Sequence, residues 1–236
     1  MDAQAIAARA AAFAEAVAHG DTDGRAEGVV WLQGALDEVG AGVSATRVRV
    51  LLAQAGRRLG DASAPVGEVV GDADLGAVWR ACDAGRAALL LRAHASMDGE
   101  AWHRLVVDAV RRGEMSEQVS LLRMLAWLPD PARFCDVAVD ACRTNAEPVF
   151  AAIAGENPYP AAHFPDGAFD QLVIKAIFVG VSIERIVGLS DRVRVETARI
   201  ATDFADERRA AGRAVPADVD LVLQLVSAKA PGSKNA

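Results

Sequence analysis

Apolar residues return every three or four positions almost from the start of the chain. Ile6, Ala10, Phe13 and Val17 are spaced four, three and four apart, which predicts an amphipathic helix over 2–19 that stops at His19-Gly20. Val29, Leu32, Leu36 and Val39 carry the same rhythm through a second helix over 25–39, closed by Gly40. A third, over 45–59, turns Val48, Leu51, Leu52 and Leu59 inward, with Ser44 placed to cap it and Gly60 just past its end. The rhythm then fails. Residues 61–72 hold Pro65, Gly67, Gly71 and scattered acids, and read as the clearest internal loop.

Beyond that loop, helices are expected at 74–93, 98–112, 115–127, 130–144 and 147–154, followed by the turn Glu156-Asn157-Pro158-Tyr159-Pro160. Residues 169–179 are almost wholly apolar and end in a turn at 182–185. A long polar helix is expected over 191–211 and a last one over 216–227, with 228–236 as a small, polar, disordered tail. Val107-Asp108-Ala109-Val110-Arg111 returns 32 residues later as Val139-Asp140-Ala141-Cys142-Arg143. Helix pairs at such a period stack side by side. The expectation is an all-α fold of stacked antiparallel helix pairs, a HEAT-like or α-solenoid-like right-handed array. Residues 1–60 form its N-terminal helical segment, and 72–227 pack with them as the same single domain.

Composition supports helices and narrows the function. Of 236 residues, 50 are Ala, and 22 of the 25 basic residues are Arg. A net charge of −7 lacks the basic field that gathers nucleic acid, so no nucleic-acid partner is expected. No run approaches the roughly 18 apolar residues of a membrane span. The start Met1-Asp2-Ala3-Gln4-Ala5 has no basic leader, and Cys82, Cys135 and Cys142 form no C-x-x-C pair. A cytoplasmic protein, not membrane-spanning, is expected.

The common catalytic motifs are missing: no G-x-G-x-x-G, Walker A loop, G-x-S-x-G or H-E-x-x-H occurs. His19, His94, His103 and His163 lack metal-ligand spacing. Asp136 with Asp140, and Asp203 with Asp206 and Glu207, share helix faces as magnesium-binding carboxylates do. The first pair is sparse and arginines adjoin the second, so both read as solvated surface pairs. No metal and no cofactor are expected.

Residues 144–178 differ from the rest. Asn145 closes a helix, while Asn157, held extended by Pro158, and the only tyrosine, Tyr159, lie in a stiff loop with His163 just after. Lys175 puts a single charge in the apolar 169–179 run, on one face with Gln171. It reads either as a snorkelling side chain or as a partly buried amine able to act as base, anion binder or Schiff-base former. Tyr159 and His163 read either as hydrogen-bonded anchors of the loop or as acid–base groups of a pocket.

The run Cys142-Arg143-Thr144-Asn145, the block from Val149-Phe150-Ala151-Ala152 to Glu156-Asn157-Pro158-Tyr159-Pro160, and Phe169-Asp170-Gln171-Leu172-Val173-Ile174-Lys175-Ala176-Ile177-Phe178 resemble the EboA family. Arg185-Ile186-Val187-Gly188-Leu189 and Glu207-Arg208-Arg209-Ala210-Ala211-Gly212-Arg213 continue the likeness, which covers about 88–226 and makes 72–227 the EboA-like region; residues 1–70 carry no matching motif. Gly155, Asp170 and Leu172 stand where the family commonly has Cys, Asn and Met. The resemblance implies a bacterial gene cluster of specialised metabolism, alongside a prenyltransferase-like membrane protein, a TatD-like hydrolase and a cyclitol-synthase-like enzyme. The expected role is an accessory or small-molecule-binding protein that scaffolds or presents a biosynthetic intermediate, its partners that intermediate and the cluster's proteins. Asn145, Asn157, Asp170 and Gln171 would bind the ligand. The alternative is a cofactor-independent enzyme using Tyr159, His163 and Lys175.

Overall fold

The structure, a computed structural model, describes residues 2–19 and 26–229. They form helices joined by short turns, with no β-strand among the described residues. Residues 230–236 of the expected disordered tail lie outside the described residues. The chain divides into two compact units, Met1–Ala152 and Ile153–Ala236.

The first unit holds α1 (Ala3–His19), α2 (Ala26–Gly40), α3 (Ala45–Leu59), α4 (Gly67–Val70), α5 (Ala73–Ala77), α6 (Ala81–Ser96), α7 (Gly99–Arg112), α8 (Met115–Met124) and α9 (Cys135–Ala141). Single 3-10 turns at Leu125–Trp127 and Pro131–Phe134 flank the last connection, and α10 (Glu147–Ala154) runs across the division between units. Helix α3 starts as its sequence requires, with Ser44 Oγ accepting the Arg47 N–H at 3.2 Å. It ends where Gly60 takes φ +71°, a conformation that suits glycine.

Helix α6 is the centre of this unit. It is small or apolar almost all the way round and buries Ala84, Gly85, Ala87, Ala88, Leu89, Leu90 and Leu91. Helices α1, α2, α3, α7 and α8 pack against it. Close approach needs absent side chains: a Cβ on Gly85 would lie 2.1 Å from Leu59 Cδ1, and one on Gly28 would lie 2.5 Å from the Arg58 carbonyl oxygen. The helix expected over 74–93 is broken at 78–80. Asp83 accepts the Arg80 N–H at 3.0 Å, which starts a new helix at Ala81. The break lets Trp79 turn inward, where it stacks on Phe13 at 5.0 Å and meets Trp127 edge-on at 5.5 Å.

Two charges are buried in α6. The Asp83 carboxylate accepts hydrogen bonds from Ser120 Oγ and from Arg123 Nη1, the latter at 2.7 Å. Burial pushes its pKa up, but Arg123, Ser120 and Arg80 outweigh that and hold it below the usual carboxylate range. Arg86 donates to Leu52 O and Ser116 O, both at 3.0 Å, and to Ser120 Oγ at 2.6 Å. Burial, with Asp83 alongside, pushes the Cys82 thiol up to about 12, so it stays protonated and unreactive.

The second unit holds α11 (Tyr159–His163), α12 (Asp166–Val179), a 3-10 turn at Ile183–Arg185, α13 (Leu189–Arg192), α14 (Val195–Ala210) and α15 (Asp218–Lys229). Helix α14 packs on α12 and α15. The single helix expected over 191–211 is broken, because Thr197 Oγ1 accepts the Arg194 N–H at 3.0 Å and starts α14 afresh. Ala228 and Lys229, expected in the tail, complete α15 instead. Lys229 Nζ donates to the carbonyls of Asp191 and Val193, each at 2.8 Å, and so closes the end of α13.

Candidate functional site

The loop before α11 bends at Glu156, which has φ +44°, an uncommon value for a residue with a side chain. Arg185 holds it there. Glu156 N–H donates to Arg185 O at 2.8 Å, and the Arg185 Nε and Nη2 reach Glu156 Oε1 and Oε2 at 2.6 Å each. That is a bidentate guanidinium–carboxylate pair closed by a backbone bond.

Asn157 follows and is buried; its Oδ1 accepts the Tyr159 N–H at 3.0 Å, an Asx-type turn that launches α11. Pro160, in the first turn, fits a helix start because that position needs no N–H donor. Tyr159 is fully buried, its ring 4.6 Å from the His163 ring and edge-on to Phe164 at 6.2 Å. Burial lowers the His163 pKa, so the imidazole is neutral at pH 7.

Two more arginines hold the segment after Tyr159. Arg192 donates to the carbonyls of Ala161 and, at 2.8 Å, Phe164, reaches Asp166 Oδ1 at 3.2 Å, and lies over the Phe169 ring at 4.8 Å. Arg194 binds Asp166 Oδ2 at 3.1 Å and Asp170 Oδ2. Asp170 is buried, and its other oxygen accepts from Thr197 Oγ1. Gly188, at φ +71°, lets the chain pass Ala161, where a Cβ would come within 2.8 Å.

The structure therefore brings Asn157, Tyr159 and His163 into one cluster. Asp170 joins it through Arg194, Asp166 and Arg192. Gln171 is exposed, and Lys175, one turn further along α12, is half-buried. Asn145 is exposed and belongs to the first unit. Arg185, Arg192, Arg194 and Thr197 had no signal in helical periodicity, since their partners lie 24 to 32 residues away. Only the excess of arginine pointed to them. Of the carboxylates with magnesium-like spacing, Asp140 pairs with Arg111 and Arg143, Asp203 with Arg199, and Asp206 with Arg209. Among the described residues, no three His, Cys, Asp or Glu side chains gather to hold a metal.

The fold and this cluster define an all-helical protein whose polar loop is held by arginines. The family model described as metabolite traffic protein EboA matches residues 25–224, and the chain belongs to that family. The match begins well before residue 88 and takes in α2 and α3, which carry no recognisable motif; α1 precedes it. No curated protein and no solved structure matches the chain. Among the described residues, no helix is long and apolar enough to cross a membrane.

Proposed function

We propose that this chain is an accessory, small-molecule-binding protein of bacterial specialised metabolism, working in the cytoplasm to scaffold or present a biosynthetic intermediate to its cluster's proteins. The family description, a metabolite traffic protein, supports a role in handling metabolites. The observation that carries the reading is the fixing of Glu156, Asp166 and Asp170 by Arg185, Arg192 and Arg194. A loop held by side chains keeps its polar groups in one arrangement, as a binding surface requires. Asn157, Asp170 and Gln171, all in the second unit, are the proposed ligand contacts. The stacked helix-pair array belongs to the same proposal, supported by the pairing of α2 with α3 and of α7 with α8.

Native mass spectrometry of the protein purified from its producing bacterium tests this. The expected result is a non-covalently held small molecule that leaves on unfolding. A chain that carries none, and whose deletion leaves specialised-metabolite output unchanged, overturns the reading.

One observation favours an enzyme instead: the neutral His163 ring lies against Tyr159, a pairing able to exchange a proton. Tyr159 has no exposed surface, so substrate reaches it only if the loop opens, and this reading ranks second. Lys175→Met separates the two. Loss of product with fold and partners intact favours catalysis.

A further inference from the structure

Many arginines of this chain lie close against carboxylates. Arg47 meets Glu38 at 2.6 Å, Arg185 meets Glu156 at 2.6 Å, and Arg123 meets Asp83 at 2.7 Å. In the first unit, three arginines with loose ion pairs or none gather at one cavity. A cavity of about 410 Å³ between α3 and α7 is lined by Thr46, Arg49, Arg104, Leu105, Asp108 and Arg112, among others. Arg104 is exposed, and its side chain makes no hydrogen bond or ion pair with another described residue. Arg112 approaches Asp108 only to 3.9 Å, and Arg49 approaches Glu117 only to 3.5 Å. The Arg49 Nη1 atom is buried and has no hydrogen-bond partner.

Three arginines thus line one cavity against two carboxylates, Asp108 on its wall and the buried Glu117 beside Arg49. This net positive pocket occurs in a chain whose overall charge is −7. Ala45 and Thr46, in the first turn of the 15-residue α3, also line it, so the positive end of that helix adds to the field. Guanidinium groups match the tetrahedral oxygens of a phosphoryl group by paired N–H donors.

The geometry points to an anion site in this cavity that takes a phosphoryl group, as inorganic phosphate or as a small phosphomonoester. The site lies wholly in the first unit and does not depend on the loop around Tyr159. Isothermal titration calorimetry of the full chain, at constant ionic strength in sodium chloride, tests it with inorganic phosphate and with glycerol 3-phosphate. One saturable site is expected, and Arg104→Gln should weaken it about tenfold, the scale of one lost charged hydrogen-bonding group. Tighter binding of glycerol 3-phosphate identifies an organic ligand, and tighter or equal binding of phosphate identifies the free ion; either upholds the site. Arg49→Gln strands Glu117 and is avoided, so Arg112→Gln serves as the second variant, with thermal unfolding to verify its fold. The absence of saturable binding by both anions, or unchanged binding in both folded variants, overturns the site.

Discussion

Glu156 and Arg185 hold each other twice, through a bidentate ion pair and through the Glu156 N–H on the Arg185 carbonyl. The pair stabilises a backbone turn that Glu156 adopts at some cost, with φ +44°. Arg185→Met should destabilise the second unit by about 1 kcal/mol, a modest figure because both side chains are partly solvated. Glu156→Gly relieves the strain, so Arg185→Met should cost less in that background. Hydrogen exchange of the amides at 156–164 reads the loosening. Equal exchange in wild type and Arg185→Met would count against the pair as the loop's anchor.

The buried network of the first unit should be far more sensitive. Arg86→Met removes the donors to Leu52, Ser116 and Ser120 and leaves buried acceptors without them, at a cost of about 3 kcal/mol. Trp31, Trp79, Trp102 and Trp127 all lie in this unit. Their fluorescence during urea unfolding reports it without interference from the second.

Asp83 ties that stability to pH. Its pKa is lower folded than unfolded, so its contribution is complete above the unfolded value of 3.8 and is lost as pH falls through the folded one. The stability advantage of wild type over Asp83→Asn, measured by urea unfolding, should be constant from pH 7 to 5 and shrink as pH drops below about 4. A constant gap down to pH 2.5 would contradict the assignment.

His163 provides an independent titration. Burial lowers its pKa below the ordinary 6.5, so the unfolded chain takes up a proton first and this group favours unfolding as pH falls below that value. His94, against Trp102, is shifted the same way by burial. Residue-resolved NMR should find both midpoints below 6.5, and His163→Gln should remove part of the stability loss on going from pH 7 to 5.

Two glycines should respond oppositely to alanine. A Cβ on Gly28 would lie 2.5 Å from a backbone oxygen of Arg58, so α2 must move away from α3, costing about 1–3 kcal/mol. Nothing lies within 4 Å of a Cβ on Gly34, in the same helix. Gly34→Ala should therefore stabilise by about 0.5–1 kcal/mol. Thermal unfolding distinguishes the two.

What could be read in the sequence follows the range of the forces involved. Helices α1 to α3 begin and end within a residue or so of expectation, because Ser44, Gly40 and Gly60 act on their own neighbours. The breaks before Ala81 and Val195 went unseen, since Asp83 and Thr197 look like ordinary helical residues until each is found bonded three residues back. The 5-residue α11 was hidden behind Pro158 and Pro160, which read as a loop. The cluster of Asn157, Tyr159 and His163 was legible as a stiff loop near a histidine. Its arginine supports were not, because residues more than 20 positions apart leave no periodic trace. Nothing in the sequence marks Arg86 and Asp83 as interior; only the apolar neighbours on every side of α6 make them so.

The dependence of Glu156, Asp166 and Asp170 on Arg185, Arg192 and Arg194 also sets an order in time. During synthesis the loop leaves the ribosome before any of the three residues that hold it. Its final form is available only once the chain has grown past Arg194. Until then Tyr159 and Asn157 lack their enclosure, and the first unit, already complete, has its whole sequence free to fold.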